Sequence, residues 1–308
     1  MSVAYPCNEA ISANFGVFLA LAVLPFHILL LFTLAKDTLF SLPRHKILFS
    51  LSLSHVLQIG ISNIIFLVIK AFSMKSHETQ CIAMRRCIQF IAPLNLVVTS
   101  LNLIALSVER YVACVHGLRF HQIVTNGRVT AALALIWSLG FILAAFNFAI
   151  IRPAPTIEGQ AFLSETPLLR VIAFVVEIPT CLTLIVIQAK LLAVSRKKLL
   201  VVQPGVSTSS QAEQRGLWKR QLKIAFVAGM VVVTYLVCTF PGALIALQTV
   251  ITYGTLPVDK YHFTLVLWMA NAVTDPFIYG FGMRDTRLAL IKRAKRIFSA
   301  LFCCLHSS

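Results

Sequence analysis

Seven times along the 308 residues the chain stays apolar for about 20 residues or more: about 15–36, 46–70, 82–114, 129–151, 168–194, 219–248 and 258–281. A run of that length is what a helix needs to cross a bilayer. The third and sixth runs are longer, so they are expected to tilt or to extend past the lipid. Only 12% of the residues are charged against 58% hydrophobic, too little charge for the surface of a soluble domain of this length. The expected fold is an all-α membrane protein, a seven-transmembrane helix bundle. Residues 1–14 form an outer N-terminus, 15–283 the bundle, and 284–308 a cytoplasmic amphipathic helix and tail. The opening stretch "MSVAYPCNEAISANF" has no basic start, so the first run is expected to serve as its own uncleaved signal.

The net charge of +16 raises a nucleic-acid partner, and the distribution of that charge argues against one. With the N-terminus outside, the inner loops and tail hold 19 Lys and Arg and the outer segments 7, with Arg110 left inside the third run. That bias is the topology signal of a multi-pass protein, and it places the C-terminus in the cytosol of a plasma-membrane protein. Basic residues facing anionic membrane lipids account for most of the charge. In the tail, Leu288, Ile291, Ile297, Phe298, Leu301 and Phe302 alternate with Arg287, Lys292, Arg293, Lys295 and Arg296. This is the pattern of a helix lying on the inner leaflet, and Cys303 and Cys304 at its end are candidate palmitoylation sites. Cys7, Cys81 and Cys87 are expected outside, where one pair and one free thiol is the simplest arrangement. No Cys or His spacing forms a metal site. The stretch "VVQPGVSTSSQAEQRG" (Val201–Gly216) reads as a disordered polar linker.

The informative residues are those that a lipid-facing helix cannot tolerate. "NAVTDPFIYGF" (Asn271–Phe281) carries Asp275 inside the seventh run, where a carboxylate costs about 2.5–3.5 kcal/mol on insertion scales. "LSVERY" (Leu106–Tyr111) places Arg110 beside Glu109, four residues from the inner end of the third run. An intramembrane Arg is tolerated when it is paired or snorkels. Taken alone, such a pair at a helix end is an ordinary ion pair; its place on the third of seven spans makes it informative.

Taken in order, these motifs resemble the rhodopsin-like (class A) G-protein-coupled receptors over nearly the whole chain. Glu109-Arg110-Tyr111 resembles the Asp/Glu-Arg-Tyr motif, and Asp275-Pro276-x-x-Tyr279 the Asn/Asp-Pro-x-x-Tyr motif. Trp137 matches the fourth-helix tryptophan, Pro179 the fifth-helix proline, and Cys238-Thr239-Phe240-Pro241 matches Cys-Trp-x-Pro in part. The resemblance implies a non-enzymatic, cofactor-free receptor whose partners are an extracellular ligand, a heterotrimeric G protein and membrane lipids. It implies that Glu109 holds Arg110 at rest, that Arg110 meets the G protein when the fifth and sixth helices part, that Pro241 is the pivot of the sixth, and that Tyr279 swings inward.

The departures are specific. Thr239 stands where the family has its sixth-helix tryptophan, and Arg85 where it has its third-helix cysteine, so the usual disulfide cannot form. Melanocortin receptors also lack that disulfide and resemble this chain in "GLRFHQIVT", in the short second outer loop and in Asp-Pro-x-x-Tyr. Their acidic peptide-binding cluster falls on "MRRCIQF" here, which argues against a melanocortin ligand. Fish odorant receptors share the style of "PRHKILFS" and "SVERY", so a chemosensory role for small organic molecules is the alternative. Met269 replaces the Lys a retinal receptor needs, and Ala92 the Asp of an amine receptor. From another class, a transporter is the rival; it more often shows pseudo-repeats and broken helices, and neither is visible. A receptor-like protein without signalling is a third reading, prompted by Thr239.

Family spacing places His55 at the usual sodium-site Asp of the second helix and His27 near the usual Asn of the first. Both histidines lie about 14 Å, and Asp275 about 10 Å, from their inner ends by helical rise. The expectation is a polar cluster of His27, His55, Thr99, Asn271 and Asp275, with His55 meeting Asp275; the alternative is that each histidine bonds separately to backbone or water. Gln89, Glu177, Gln248 and Trp268 are the candidate ligand pocket. Against that stands the plainer reading that Glu177 bonds a neighbouring helix.

Overall fold

The computed structural model describes residues 10–35, 37–61, 77–150, 167–201, 209–251 and 258–306. Among them the chain is helical nearly throughout. The main helices are α1 (Ala10–Leu34), α2 (Pro43–Val56), α3 (His77–Val115), α4 (Asn126–Ile150), α5 (Pro167–Val201), α6 (Ser209–Ile251), α7 (Val258–Gly282) and α8 (Arg284–His306). Short helical turns at Asp37–Phe40 and Gly117–Ile123 fill the inner connections. Leu, Ala, Val and Ile dominate the long helices. In lipid, a helix satisfies every backbone group within its own segment, whatever the propensity of single residues.

Four segments are long and apolar enough to cross a membrane among the described residues: Phe90–Val115, Asn126–Ala149, Val175–Lys197 and Leu222–Ile245, with a shorter apolar helix at Ala22–Leu34. α2 starts on Pro43, whose fixed φ suits a first helical turn. It then widens into a π-helical turn, Leu57–Ile61; the remainder of the second apolar run lies outside the described residues. One expectation is corrected. Ser209–Gly216, read as part of a disordered linker, forms the first two turns of α6. Gln, Ala, Glu and Arg are good helix formers, and they join directly onto the apolar run, so polarity alone misled. Cys87 is a free, half-buried thiol, whereas Cys7 and the side chain of Cys81 lie outside the described residues.

α3 is the hub, packing against α2, α4, α5 and α6. α5 packs on α6, α6 on α7, α7 on α1 and α1 on α2, which closes the ring. Leu30, Leu48, Leu51, Leu103, Leu184 and Val231 form its core. Close approach needs small residues. A Cβ on Gly140 of α4 would lie 2.9 Å from Val98 and 3.1 Å from Leu94 of α3, and one on Gly282 of α7 would lie 2.7 Å from Val227 of α6. Trp137 of α4 donates its indole N–H to Ser50 of α2 at 2.9 Å, which fixes the register of that pair.

Gly140→Leu is therefore expected to cost about 1–3 kcal/mol by overpacking, read as a lower thermal midpoint of the purified protein. Gly127→Ala, at a site with open space around it, is the matched control and should leave the midpoint in place.

Candidate functional site

Among the described residues, buried polar side chains gather near the C-terminal end of α3 and between α1, α2 and α7. At the inner end of α3, the Arg110 guanidinium donates through Nε and Nη2 to both carboxylate oxygens of Glu109. Both side chains are buried, 5% and 3% exposed. Two parallel N–H···O bonds satisfy the fork geometry of arginine, so the pair is closed on itself. Tyr111 beside it is half-buried.

The middle group draws on three helices. His27 of α1 donates from Nε2 to the carbonyl of Ala272 in α7 at 2.8 Å. The rings of His27 and His55 meet edge to face, with centroids 5.5 Å apart. His55 Nε2 lies 3.8 Å from Asp275 Oδ2. That is ion-pair range and longer than a hydrogen bond. The expected meeting of His55 and Asp275 is thus present, and His27 joins it through its ring. Asn271, one turn before Asp275 on α7, and Tyr279, one turn after it, are both buried. Thr99 is instead tied to α2 and to its own helix: it shares a hydrogen bond with Ser54 at 3.3 Å and donates to Asn95 at 3.5 Å, while Asn95 donates to the Ser54 carbonyl at 3.0 Å.

Prolines mark the helices that carry these groups. Pro241 lies inside α6 and Pro276 inside α7, and each removes a backbone bond that would otherwise stiffen its helix. Two residues before Pro241, Thr239 is buried and donates to the Tyr235 carbonyl at 2.8 Å. Tyr235 shares a 2.6 Å hydrogen bond with Ser100 of α3. Sequence reasoning did not single out this link, and its one signal was a tyrosine one turn before a motif threonine. Glu177 of α5 is buried and lies within electrostatic reach of Tyr235 and Cys181. Of the other pocket candidates, Gln248 is exposed, and the side chains of Gln89 and Trp268 lie outside the described residues.

A further missed feature ties α8 to the inner rim. Arg44, just before the second apolar run, donates to Asp285 at 2.8 Å. Arg293 donates to the Phe32 carbonyl and lies over the Phe32 ring, 5.6 Å from its centroid. Leu290 is buried against the α1–α7 contact, where a Cβ on Gly280 would meet Leu290 at 3.1 Å and Phe26 at 3.2 Å.

Large apolar side chains such as Leu135, Phe226 and Val237 lie exposed on the helix surfaces while Glu109, Arg110, Glu177 and Asp275 are buried between helices, an arrangement suited to a multi-pass membrane protein. The helices close a ring around a central α3, which carries the buried Glu109–Arg110 pair near its C-terminal end. The family model described as "7 transmembrane receptor (rhodopsin family)" matches residues 27–279. The chain belongs to that family and is a G-protein-coupled receptor, which converts binding of a ligand into G-protein signalling. It is similar to melanocortin receptor 4 of Danio rerio, 22% identical over 97% of this chain and 87% of that protein. It is also similar to melanocortin receptor 5 of Homo sapiens, 25% identical over 68% of this chain and 58% of that protein.

The Ser100–Tyr235 link joins α3 to α6. A double-mutant cycle with Ser100→Ala and Tyr235→Phe should return a coupling of about 0.6 kcal/mol and at most about 1.7, the range for hydrogen bonds between membrane helices. Thermal or denaturant unfolding of the purified receptor measures it.

Proposed function

We propose that the receptor rests in a closed inner state locked by the Glu109–Arg110 pair, and that an extracellular ligand releases it. The observation that carries this reading is the burial of a two-pronged, self-satisfied ion pair at the inner end of α3. Opening exposes Arg110, and an arginine fork is suited to donate to acceptor groups of a docking G protein. Pro241 and Pro276 lie on the two helices that would have to move, and Tyr279 is the aromatic that would follow. Ligand binding shifts the closed–open equilibrium by its difference in affinity for the two states.

The orientation is N-terminus outside in the plasma membrane, as the inner excess of Lys and Arg indicates. α8 lies on the inner leaflet: Leu288 and Ile291 are exposed beside Lys292, Lys295 and Arg296, which suits an interfacial helix. Cys303 and Cys304 at its end would carry palmitoyl chains, adding a hydrophobic anchor to the electrostatic one. The ligand enters from the outer half, where the buried Glu177 sits below the outer ends of α3, α5 and α6. The likeness to melanocortin receptors does not carry their ligand here, because "MRRCIQF" supplies two positive charges and no carboxylate at the outer end of α3.

Arg110→Ala is expected to abolish G-protein activation at unchanged cell-surface level, and Glu109→Gln to raise ligand-independent activation several-fold by weakening the lock. Nucleotide exchange on purified G protein measures both. Unaltered exchange in Arg110→Ala overturns the assignment. Cys303→Ser with Cys304→Ser is expected to remove metabolic labelling by a palmitate analogue.

A further inference from the structure

The middle group of polar residues is less fully hydrogen-bonded than the Glu109–Arg110 pair. Both carboxylate oxygens of Asp275, Nδ1 of His55, Nδ1 of His27, Oδ1 of Asn271 and the Tyr279 hydroxyl are buried without a hydrogen-bond partner. None of these five residues is more than 2% exposed. A buried polar group left unpaired costs about 1–3 kcal/mol and a charged one more, and lipid outside the bundle offers no relief. Six orphaned atoms on three packed helices therefore point to a ligand held among them.

The choice of ligand follows from the donor set. The charged and titratable groups facing Asp275 are His55 from α2, Cys238 from α6 and Tyr279 from α7 itself; His27 from α1 faces His55. From α3 come the uncharged Asn95 and Thr99, already engaged with Ser54. A hard cation wants several oxygens and compensating negative charge. Here there is one carboxylate, and the wall opposite it is imidazole. Among the described residues, no three His, Cys, Asp or Glu side chains are disposed to hold a metal ion. A proton needs neither a cage of oxygens nor a second carboxylate. One proton on the His55–Asp275 pair makes it net neutral, whichever of the two carries it, and such a pair titrates as a unit.

We propose that His27, His55, Asn271, Asp275 and Tyr279 form a buried proton-binding site, in which a single exchangeable proton is shared by His55 and Asp275 with bridging water. The 3.8 Å separation leaves room for a water to bond both partners from one side. His27, bonded through Nε2 to α7, presents Nδ1 as an acceptor and completes the wall. The proton's gain or loss changes the charge between α2 and α7, and so the packing of the helix that bears Tyr279. This holds whether or not the inner lock works as proposed above.

The test uses the purified full chain in lipid nanodiscs between pH 5 and 9. Thermal midpoints are measured with sodium, with N-methylglucamine at equal ionic strength, and with micromolar zinc. The wild type is expected to show a pH-dependent midpoint that neither metal shifts, and that dependence should be lost in His55→Asn and in Asp275→Asn. A midpoint raised by sodium or zinc in the wild type overturns the proposal, and so does a pH profile kept by both variants. Should the variants fail to fold, infrared spectra of the wild type with isotope-labelled aspartate decide. Exposed aspartates titrate near pH 4, so a change in the aspartate bands above pH 5 reports Asp275. A spectrum flat across that range in the aspartate bands and in the histidine ring bands alike overturns the assignment.

Discussion

A polar group buried in a membrane bundle has only the bundle to bond with, and the architecture of this receptor follows from that constraint. The outward faces of the helices are apolar: Leu135, Phe226 and Ile251 are each about two-thirds or more exposed. Between helices surrounded by lipid, apolar burial provides little preference for one contact over another, because lipid tails are as apolar as leucine. What distinguishes the native packing is where hydrogen bonds close and where backbones come near. Trp137 to Ser50, Asn95 to the Ser54 carbonyl, Ser100 to Tyr235 and His27 to the Ala272 carbonyl each join two helices. Gly140 and Gly282 let the helices approach closely enough for such bonds to form.

That constraint also explains why α3 is central. It is the helix with bonds or ion pairs at several depths: Asn95 and Thr99 toward α2, Ser100 toward α6, Ser107 accepting from Gln188 of α5 at 3.4 Å, and Arg110 held at its inner end. In the proposed opening, a helix so fixed would be the reference for movement of α5, α6 and α7. Prolines lie inside those three helices, at Pro179, Pro241 and Pro276, and also inside α3 at Pro93 and α1 at Pro25.

How much of this was legible beforehand depended on the kind of signal. Apolar runs give the helices because the bilayer fixes their length, and the intramembrane charges give the site because lipid makes each one conspicuous. The contact of His55 with Asp275 was legible because helical rise puts both at similar depth. Thr99 is expected in the same cluster, yet it bonds Ser54 and Asn95 instead. Depth is written in residue number, whereas facing is set by packing. For the same reason Tyr235 and Ser100 went unnoticed: each is unremarkable within its own helix, and only their juxtaposition creates the link. The start of α6 was misread because Ser, Gln and Glu look like a linker when counted, although several of them extend a helix readily once one is nucleated next to them.

Thr239 shows how local substitution and global packing are coupled. An indole at that position would fill space between α6 and its neighbours. The threonine here turns its hydroxyl back to the Tyr235 carbonyl, one turn earlier on the same helix. A Thr bonding its own i−4 carbonyl tends to bend a helix, and this one sits two residues before Pro241, which leaves its own i−4 carbonyl without a backbone donor. The stretch of α6 whose backbone bonding is altered therefore begins at Tyr235, the residue that ties the helix to α3. Movement at the proline and the α3–α6 bond are thereby brought within two turns of each other, and release of Tyr235 from Ser100 becomes the point at which bending of α6 would be felt by the helix carrying Arg110.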